Sequence, residues 1–260
     1  MNKYFSLWLT MTSRTTQVAL YSRSGIVLFT IGKLMRFSFF IVFLFLLTSR
    51  TNSLAGYTVW QVMLFFVTFT IIDSISQFLW REVYRFRNYI ISGNFDYLLT
   101  KPMAPLFRSL FGGSDILDLL TLIPLLGFMI YVLTQIGDVT IINVVLYILL
   151  IVNALVIALS FHIFVLGLGI VTTEVDNAMW MFREITQLGR VPIQVYPKAI
   201  TFLFTYLLPV AAMIAIPTQA LLGLVTPLGV LIAFMFSSGL LFGSYKFWLY
   251  ALKQYSSASS

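Results

Sequence analysis

The stretch RFRNYIISGNFDYLLTKPMAPLFR, residues 85–108, separates two long apolar runs of the chain. It carries a single acid, Asp96, against four basic residues, which are Arg85, Arg87, Lys101 and Arg108. It also contains Ser92-Gly93-Asn94 and two prolines, residue types that favour turns. We call residues 81–110, which include this stretch, the basic segment. We expect the basic segment to lie outside the apolar environment that surrounds the two neighbouring runs.

The composition indicates which solvent surrounds most of the chain. Of 260 residues, 60% are hydrophobic and only 10% are charged, whereas a soluble domain carries about a quarter charged residues. So few charges cannot cover a globule of this size, and lipid must therefore surround most of it. The chain has no cysteine, which excludes a disulfide framework, a thiol nucleophile and a thiolate metal site. The net charge of +7 comes from cations dispersed around apolar runs, which indicates contact with anionic membrane lipids and not with nucleic acid.

The apolar runs predict an all-α membrane protein with six transmembrane helices. A helix needs about 20 apolar residues to cross the hydrocarbon, and five runs reach this length: residues 25–48, 59–80, 111–134, 141–171 and 228–250. A sixth run, residues 198–224, is interrupted by Pro209 and Pro217. Lys33 and Arg36, near the start of the first run, can reach the head groups by snorkelling. We divide the chain into a leader (1–24), a single transmembrane domain (25–250) and a flexible tail (251–260).

The basic residues predict the orientation. They concentrate in the leader, the basic segment and the tail, whereas residues 135–140 contain no cation. By the positive-inside rule, both termini and the basic segment are cytoplasmic, in what we take to be the bacterial plasma (inner) membrane. Phe5, Trp8, Leu9 and Thr12 recur at helical spacing, so we predict that the leader is an amphipathic helix lying in the interface. The alternative is a simple polar leader.

Residues 172–197 have two interpretations. In the first they form a cytoplasmic loop, because they carry five charged residues, namely Glu174, Asp176, Arg183, Glu184 and Arg190. In the second, residues 177–190 form a short span that runs outward, and residues 198–224 form a re-entrant segment on the outer side before the last span. Each charge at the bilayer centre costs about 2.5 to 3.5 kcal/mol. Arg183 and Glu184 would then have to face protein or water.

The sequence lacks the motifs of catalysis. It contains no G-x-x-x-x-G-K-[ST] phosphate loop, since Gly32-Lys33 is followed by Leu34, and no G-x-S-x-G elbow. The only histidine, His162, has no second histidine four residues away, so we predict a buried, hydrogen-bonded residue and not a metal ligand. We therefore predict that the chain is not an enzyme, has no catalytic residue and holds no metal or cofactor of its own.

Polar residues in or near the spans are candidates for a translocation path. Asp73, Ser76, Gln77 and Trp80 form one stripe of the second run. An acid in a span is costly and is by default a functional candidate, although a polar packing seam explains the stripe equally well. The candidate path residues are Asp73, Gln77, Glu174, Arg183 and Glu184.

Two pairs of residues indicate structural roles. Asp115 and Asp118 follow Ser114 at the start of the third run, where they would cap free amide groups and oppose the helix dipole. Gly239 and Gly243 form G-x-x-x-G, which permits close contact between helices. Since that spacing is common by chance in apolar sequence, it is weak support for self-association.

The order of these features resembles the membrane-permease subunits of export-type (type-2) ABC transporters, in particular the branch with compact six-span subunits. The most specific match is ISGNFDYLLTKP, residues 91–102, which is similar to the family's Gly-x-hydrophobic-Asp-x-Leu-Leu-x-basic-Pro segment. The second is PIQVYP, residues 192–197, followed by Pro209 and Pro217, which is similar to the family's late proline series.

This resemblance implies six transmembrane helices, pairing with a second permease subunit as a homodimer or heterodimer, and two cytoplasmic ABC ATPase subunits that bind ATP and Mg. It implies that the basic segment contacts the ATPase, through Arg85, Arg87, Gly93, Asp96, Lys101 and Pro102. It also favours the re-entrant interpretation of residues 198–224, although Arg183 and Glu184 make the fifth span short and polar.

One alternative function is a self-sufficient ion-coupled carrier or channel. A carrier is expected to show broken helices in both halves of the chain. Here the prolines within apolar runs cluster in the second half, which argues against this alternative.

Overall fold

The computed structural model describes residues 3–51 and 53–256, and at residues 206 and 207 the backbone alone. In these residues every regular element is helical, and the only β-type pairing is an isolated bridge between Leu54 and Tyr57. Five helices are long and apolar enough to cross a membrane, and a shorter apolar stretch covers Ala211–Leu221. The predicted class, an all-α membrane protein, is confirmed.

The first two helices have few buried residues. Helix α1 (Lys3–Leu20) buries none, and α2 (Arg23–Thr51) buries only Leu44 and Thr48. Two hydrogen bonds hold α1 against the start of the third span: Trp8 Nε1 donates to Ser114 Oγ at 3.0 Å, and Thr15 Oγ1 donates to the Ser114 carbonyl at 3.1 Å. That α1 lies in a membrane interface stays a prediction.

Helix α3 (Val59–Trp80) forms the centre of the fold and has the bounds that the second apolar run predicts. Thr58 and Gln61 form a capping box, in which each side chain accepts a hydrogen bond from the other's backbone amide. The helix packs against α2 and against two later spans, and nearly all of its side chains are buried. At 22 residues it is about 33 Å long, enough to cross the hydrocarbon.

The basic segment and the third span are broken into short pieces. After a 3₁₀ turn (Arg81–Arg85) come α4 (Phe86–Ile91), α5 (Asn94–Leu99), α6 (Pro105–Phe111), α7 (Ile116–Leu120) and α8 (Leu122–Ile136). The prediction that the third span starts at residue 111 is wrong, because Gly112 and Gly113 interrupt the helix. Asp115 caps α7 as predicted, accepting from the Leu117 amide at 3.1 Å. Asp118 lies in the first turn of α7, as predicted for a residue that opposes the helix dipole, but its carboxylate pairs with Lys33 of α2 and is not the cap.

The second half contains two long helices that pack along each other. These are α9 (Ile141–Thr172) and α13 (Pro227–Gln254). Asn153 of α9 donates to the Ala233 carbonyl at 3.2 Å and accepts from Ser237 at 2.5 Å. Helix α13 continues four residues beyond the end of the last apolar run, and the end of the predicted tail, residues 257–260, lies outside the described residues.

A broken segment separates these two long helices. It comprises α10 (Val175–Gln187), α11 (Lys198–Phe202), two π-helical turns (Leu203–Leu207 and Ala211–Ala215) and α12 (Ile216–Leu221). Pro209 lies between the π turns, where its missing amide cannot continue a helix, and Pro217 lies in the first turn of α12, where none is needed. Helix α10 has 13 residues and is about 20 Å long, shorter than the hydrocarbon. Both interpretations of residues 172–197 therefore stay predictions.

Candidate functional site

The basic segment folds as a compact series of helical turns outside the long helices. Ser92 ends α4, and Gly93 has a left-handed backbone with φ of 70°, a conformation that costs little only for glycine. Asn94 donates to Ser92 Oγ at 2.7 Å, which closes the turn, and Pro105 begins α6. Ser92-Gly93-Asn94 therefore forms the turn between α4 and α5, and Pro105 starts the helix that follows them.

Aromatic side chains fix this segment to the end of α13. Phe86 and Phe95 are fully buried, and their ring centroids lie 6.2 and 6.4 Å from that of Trp248. The ring of Phe95 also lies 5.0 Å from that of Tyr255. Tyr255 lies beside the Asp96 carboxylate, and burial together with that charge raises the pKa of Tyr255 to about 12. The segment is therefore packed onto the bundle and is not a free loop.

A buried carboxylate, Glu82, links the first turns of the basic segment to α6 at its other end. Arg108 Nη1 donates to Glu82 Oε1 at 2.7 Å, Tyr89 donates to the same oxygen at 2.7 Å, and Arg85 Nη1 donates to Oε2 at 3.2 Å. Burial alone would lower the pKa of Arg108, but the hydrogen bond and the charge of Glu82 outweigh it and raise that pKa. A Cβ on Gly112 would lie 2.6 Å from Glu82 Oε1, so glycine permits this close approach.

The six predicted ATPase-contact residues fall into two groups. Arg85, Gly93 and Asp96 take part in the segment's own structure, as described above. Arg87, Lys101 and Pro102 point outward: Arg87 is 3.8 Å from Asp176 in an exposed ion pair, Lys101 Nζ lies 4.6 Å from the ring of Tyr97, and Pro102 is exposed. A contact with an ATPase stays a prediction for all six.

The same outward face carries large apolar side chains that the sequence analysis did not single out. Tyr97 is 66% exposed, Ile91 53% and Leu99 41%. Together with Arg87 and Lys101 they form what we call the outer face of the basic segment. Exposed apolar groups rimmed by charge are typical of a protein interface. All three lie in the motif ISGNFDYLLTKP, and this position was the sequence feature that could have identified them.

Three of the five candidate path residues line one cavity. Asp73 and Gln77 of α3 and Arg183 of α10 face a space of about 840 Å³ between α2, α3 and α10. Glu174 and Glu184 do not line it: both are exposed, Glu174 accepts from Asn177, and Glu184 accepts from Gln187 at 3.3 Å. The other two members of the stripe, Ser76 and Trp80, are buried.

The cavity also contains cations that were not among the candidates. Lys33 pairs with Asp118, and Arg81 donates to Gln77 Oε1 at 3.0 Å and lies 3.8 Å from Asp115. Arg36 and Arg190 line it as well. That Lys33 reaches the head groups by snorkelling stays a prediction, and its ammonium group pairs with a carboxylate of another helix.

His162 is buried and hydrogen-bonded, as predicted. It is 1% exposed, its Nδ1 lies 2.7 Å from the Ala158 carbonyl, and its ring packs against Trp80 at 5.2 Å. Among the described residues, no group of three or more His, Asp or Glu side chains could hold a metal ion.

The fold and these features define a multi-pass integral membrane protein with a helical segment packed at the end of its bundle. The sequence model of a family described as ABC-2 family transporter protein matches residues 34–259. The chain belongs to this family and is a permease component of an ABC transporter. Searches of curated protein sequences and of solved structures found no match.

Proposed function

We propose that the chain is the non-catalytic permease half of an ATP-driven exporter. It forms the translocation path with a second permease subunit, identical or different, and separate ABC ATPase subunits, which bind ATP and Mg, supply the energy. Both termini face the cytoplasm of a bacterium whose inner membrane holds the complex. Family membership supports the general assignment.

The observation that carries the proposal is the way the basic segment is anchored. A loop whose only task is to set orientation needs positive charge and no buried core. In this segment, Phe86 and Phe95 instead pack against Trp248. The buried carboxylate of Glu82 also accepts hydrogen bonds from three side chains of the segment. A segment fixed in this way can transmit a displacement of its outer face to α3 and α13, because packed side chains move together.

The translocation path is the second part of the proposal. Asp73, Gln77 and Arg183 share one cavity, and the cost of polar groups in a span favours a functional role. We also propose Glu174 and Glu184 as path residues, which would require them to face the path once a second permease subunit is present.

The test compares the outer face with matched exposed positions elsewhere. Tyr97→Ala, Arg87→Ala and Lys101→Ala are each coexpressed with a candidate ABC ATPase subunit, and the controls are Tyr21→Ala and Arg14→Ala, both exposed outside this face. Loss of one partner of an interfacial charge pair costs about 2 to 5 kcal/mol. We therefore expect the three variants to insert normally but to lose ATPase copurification and transport-stimulated hydrolysis.

The controls should retain both activities. Wild-type copurification and hydrolysis in all three outer-face variants would reduce the segment to an orientation signal. Nucleotide hydrolysis by the pure chain alone would refute the non-catalytic assignment.

A further inference from the structure

The cavity between α2, α3 and α10 changes in character from one end to the other. Near the start of α2 and the end of α3, its walls carry charged side chains, including Lys33, Asp118 and Arg81. Farther along, Phe40 and Phe66 face each other with ring centroids 4.8 Å apart, and Phe43 extends this wall. The cavity is therefore polar at one end and aromatic at the other.

Positive charge in the cavity exceeds negative charge. Five cations line it against two carboxylates, namely Lys33, Arg36, Arg81, Arg183 and Arg190 against Asp73 and Asp118. Lys33 and Arg81 have acidic partners in Asp118 and Asp115. Arg36, Arg183 and Arg190 form no ion pair or side-chain hydrogen bond with any described residue. The charges of Asp73 and Glu184 both act on Arg190, but neither acid forms an ion pair with any of these three guanidinium groups.

Arg190 lies where the two ends meet. Its guanidinium carbon is 5.3 Å from the ring centroid of Phe40 and 4.8 Å from that of Phe69, so it rests on the aromatic wall. Its Nε is buried and has no hydrogen-bond partner. A buried donor of this kind is costly unless something accepts its hydrogen bond. Arg190 is therefore placed to bind the head group of an amphiphilic molecule whose tail lies along the aromatic wall.

We propose that this cavity binds an amphiphile with an anionic head group, phosphate or carboxylate, and an apolar tail, and that this amphiphile is the transported cargo. As an assignment of cargo, the inference rests on the proposed function. The guanidinium groups of Arg183 and Arg190 hold the anion, since a planar guanidinium matches phosphate and carboxylate oxygens. The rings of Phe40, Phe43 and Phe66 cover the tail. A volume of about 840 Å³ falls within the range of about 300 to 1,000 Å³ that is typical of ligand sites.

The position of α2 explains how such a molecule reaches the cavity. This helix forms one wall, yet it buries only Leu44 and Thr48, and both lie beyond the aromatic end. Along the cavity itself, α2 contacts the bundle through Phe37 and Phe40, whose rings lie 6.2 and 4.8 Å from that of Phe66, and its other side exposes Phe39 and Met35. An amphiphile can enter sideways from the bilayer, with its tail already in an apolar phase.

The first experiment measures binding with probes that differ only in the head group. The chain is placed in nanodiscs of neutral phosphatidylcholine, with dodecyl phosphate, dodecylphosphocholine or dodecyltrimethylammonium, each bearing a photoreactive diazirine in its tail. We expect dodecyl phosphate to label peptides of α2, α3 and α10 at least about tenfold more than the other two, equivalent to about 1.4 kcal/mol. Unlabelled dodecyl phosphate should compete, and dodecyltrimethylammonium should not. Equal labelling by all three probes would overturn the anion site and leave a plain apolar crevice.

The second experiment tests the arginines. The double substitution Arg183→Gln and Arg190→Gln should lower labelling by dodecyl phosphate at least tenfold. The matched control, Arg14→Gln and Arg50→Gln, removes two exposed arginines and should leave labelling unchanged. Unchanged labelling in the double variant would also overturn the site. If that variant does not fold, the competition result on the unsubstituted chain decides.

The third experiment separates cargo from a resident lipid and tests the cargo assignment apart from the proposed function. With the ATPase subunits present in vesicles, ATP should reduce labelling and dodecyl phosphate should stimulate hydrolysis. If the complex hydrolyses ATP but ATP does not change the labelling, the bound molecule is a resident lipid, and the cargo assignment is overturned. Failure to copurify with any ABC ATPase, with labelling intact, would refute the proposed function but not the anion site.

Discussion

Two groups of arginines lie a short distance apart in this protein and have opposite environments. Around Glu82, Arg85 and Arg108 donate to a single buried carboxylate, and Tyr89 completes its set of donors. In the cavity, Arg183 and Arg190 have no such partner. The first group is paired with a carboxylate of the same chain, and the second group has no carboxylate partner among the described residues.

This difference separates two roles that composition alone cannot distinguish. A satisfied buried pair is strongly destabilised when one member is removed, because the other is left as an uncompensated charge. Removing an unpaired cation leaves no other charge uncompensated, so the fold loses only contacts such as those of Arg190 with the rings of Phe40 and Phe69. Stability measurements on matched substitutions therefore test the comparison directly.

The largest effect is expected for Glu82→Ala. It leaves the Arg108 guanidinium and the Tyr89 hydroxyl without their acceptor, and loss of one member of a buried ion pair costs about 3 to 5 kcal/mol. The free energy of unfolding in micelles, followed by tryptophan fluorescence, measures this loss. Glu184→Ala, which removes an exposed acid, should change it by less than about 0.5 kcal/mol. Similar values for the two variants would show that the Glu82 cluster contributes nothing to the fold.

A pair of identical substitutions compares the two groups of arginines. Arg108→Gln should lower the free energy of unfolding by about 1.5 to 3 kcal/mol, the range for hydrogen bonds to charged groups. Arg183→Gln should leave it within about 0.5 kcal/mol of the parent or raise it, since no partner is lost. The same unfolding assay applies. If Arg183→Gln destabilised the protein as much as Arg108→Gln, Arg183 would have a structural role and the contrast would fail.

A smaller effect is expected at the turn of the basic segment. Gly93→Ala forces a side chain into left-handed backbone at φ of 70°, which costs about 1 to 2 kcal/mol. A Cβ there would meet no atom within 4 Å, so the cost is purely conformational. Gly127→Ala is the control, because that site in α8 is equally open but helical, and it should be neutral or slightly stabilising. Equal effects at both glycines would mean that the turn is not strained by alanine.

The sequence analysis predicted the features that depend on local pattern. The bounds of α3 follow from an apolar run that begins after the cap at Thr58, and the turn at Gly93 follows from Ser-Gly-Asn. The buried, hydrogen-bonded state of His162 follows from its isolation in an apolar run. These predictions need only neighbouring residues.

The rest depends on residues that are far apart in the chain. The quoted stretch starts at residue 85, so its count of acids omitted Glu82, whose partner Arg108 lies 26 residues away. The pairing of Lys33 with Asp118 spans 85 residues and could not be read from either helix alone. Gly112 and Gly113 occur in an apolar context that tolerates glycine, so the sequence did not indicate the break between α6 and α7. The cavity exists only once three helices are placed together.

The contacts of α1 have a consequence for how the protein is divided. Trp8 and Thr15 both bond to Ser114, the residue after the Gly112-Gly113 break, and Tyr4 accepts from the Ala104 amide at 3.3 Å. The family match, however, begins only at residue 34, after α1. The family match therefore leaves out α1, although α1 contacts the rest of the fold. A homologue with an unrelated first helix would need a different way to shield the polar backbone at this break.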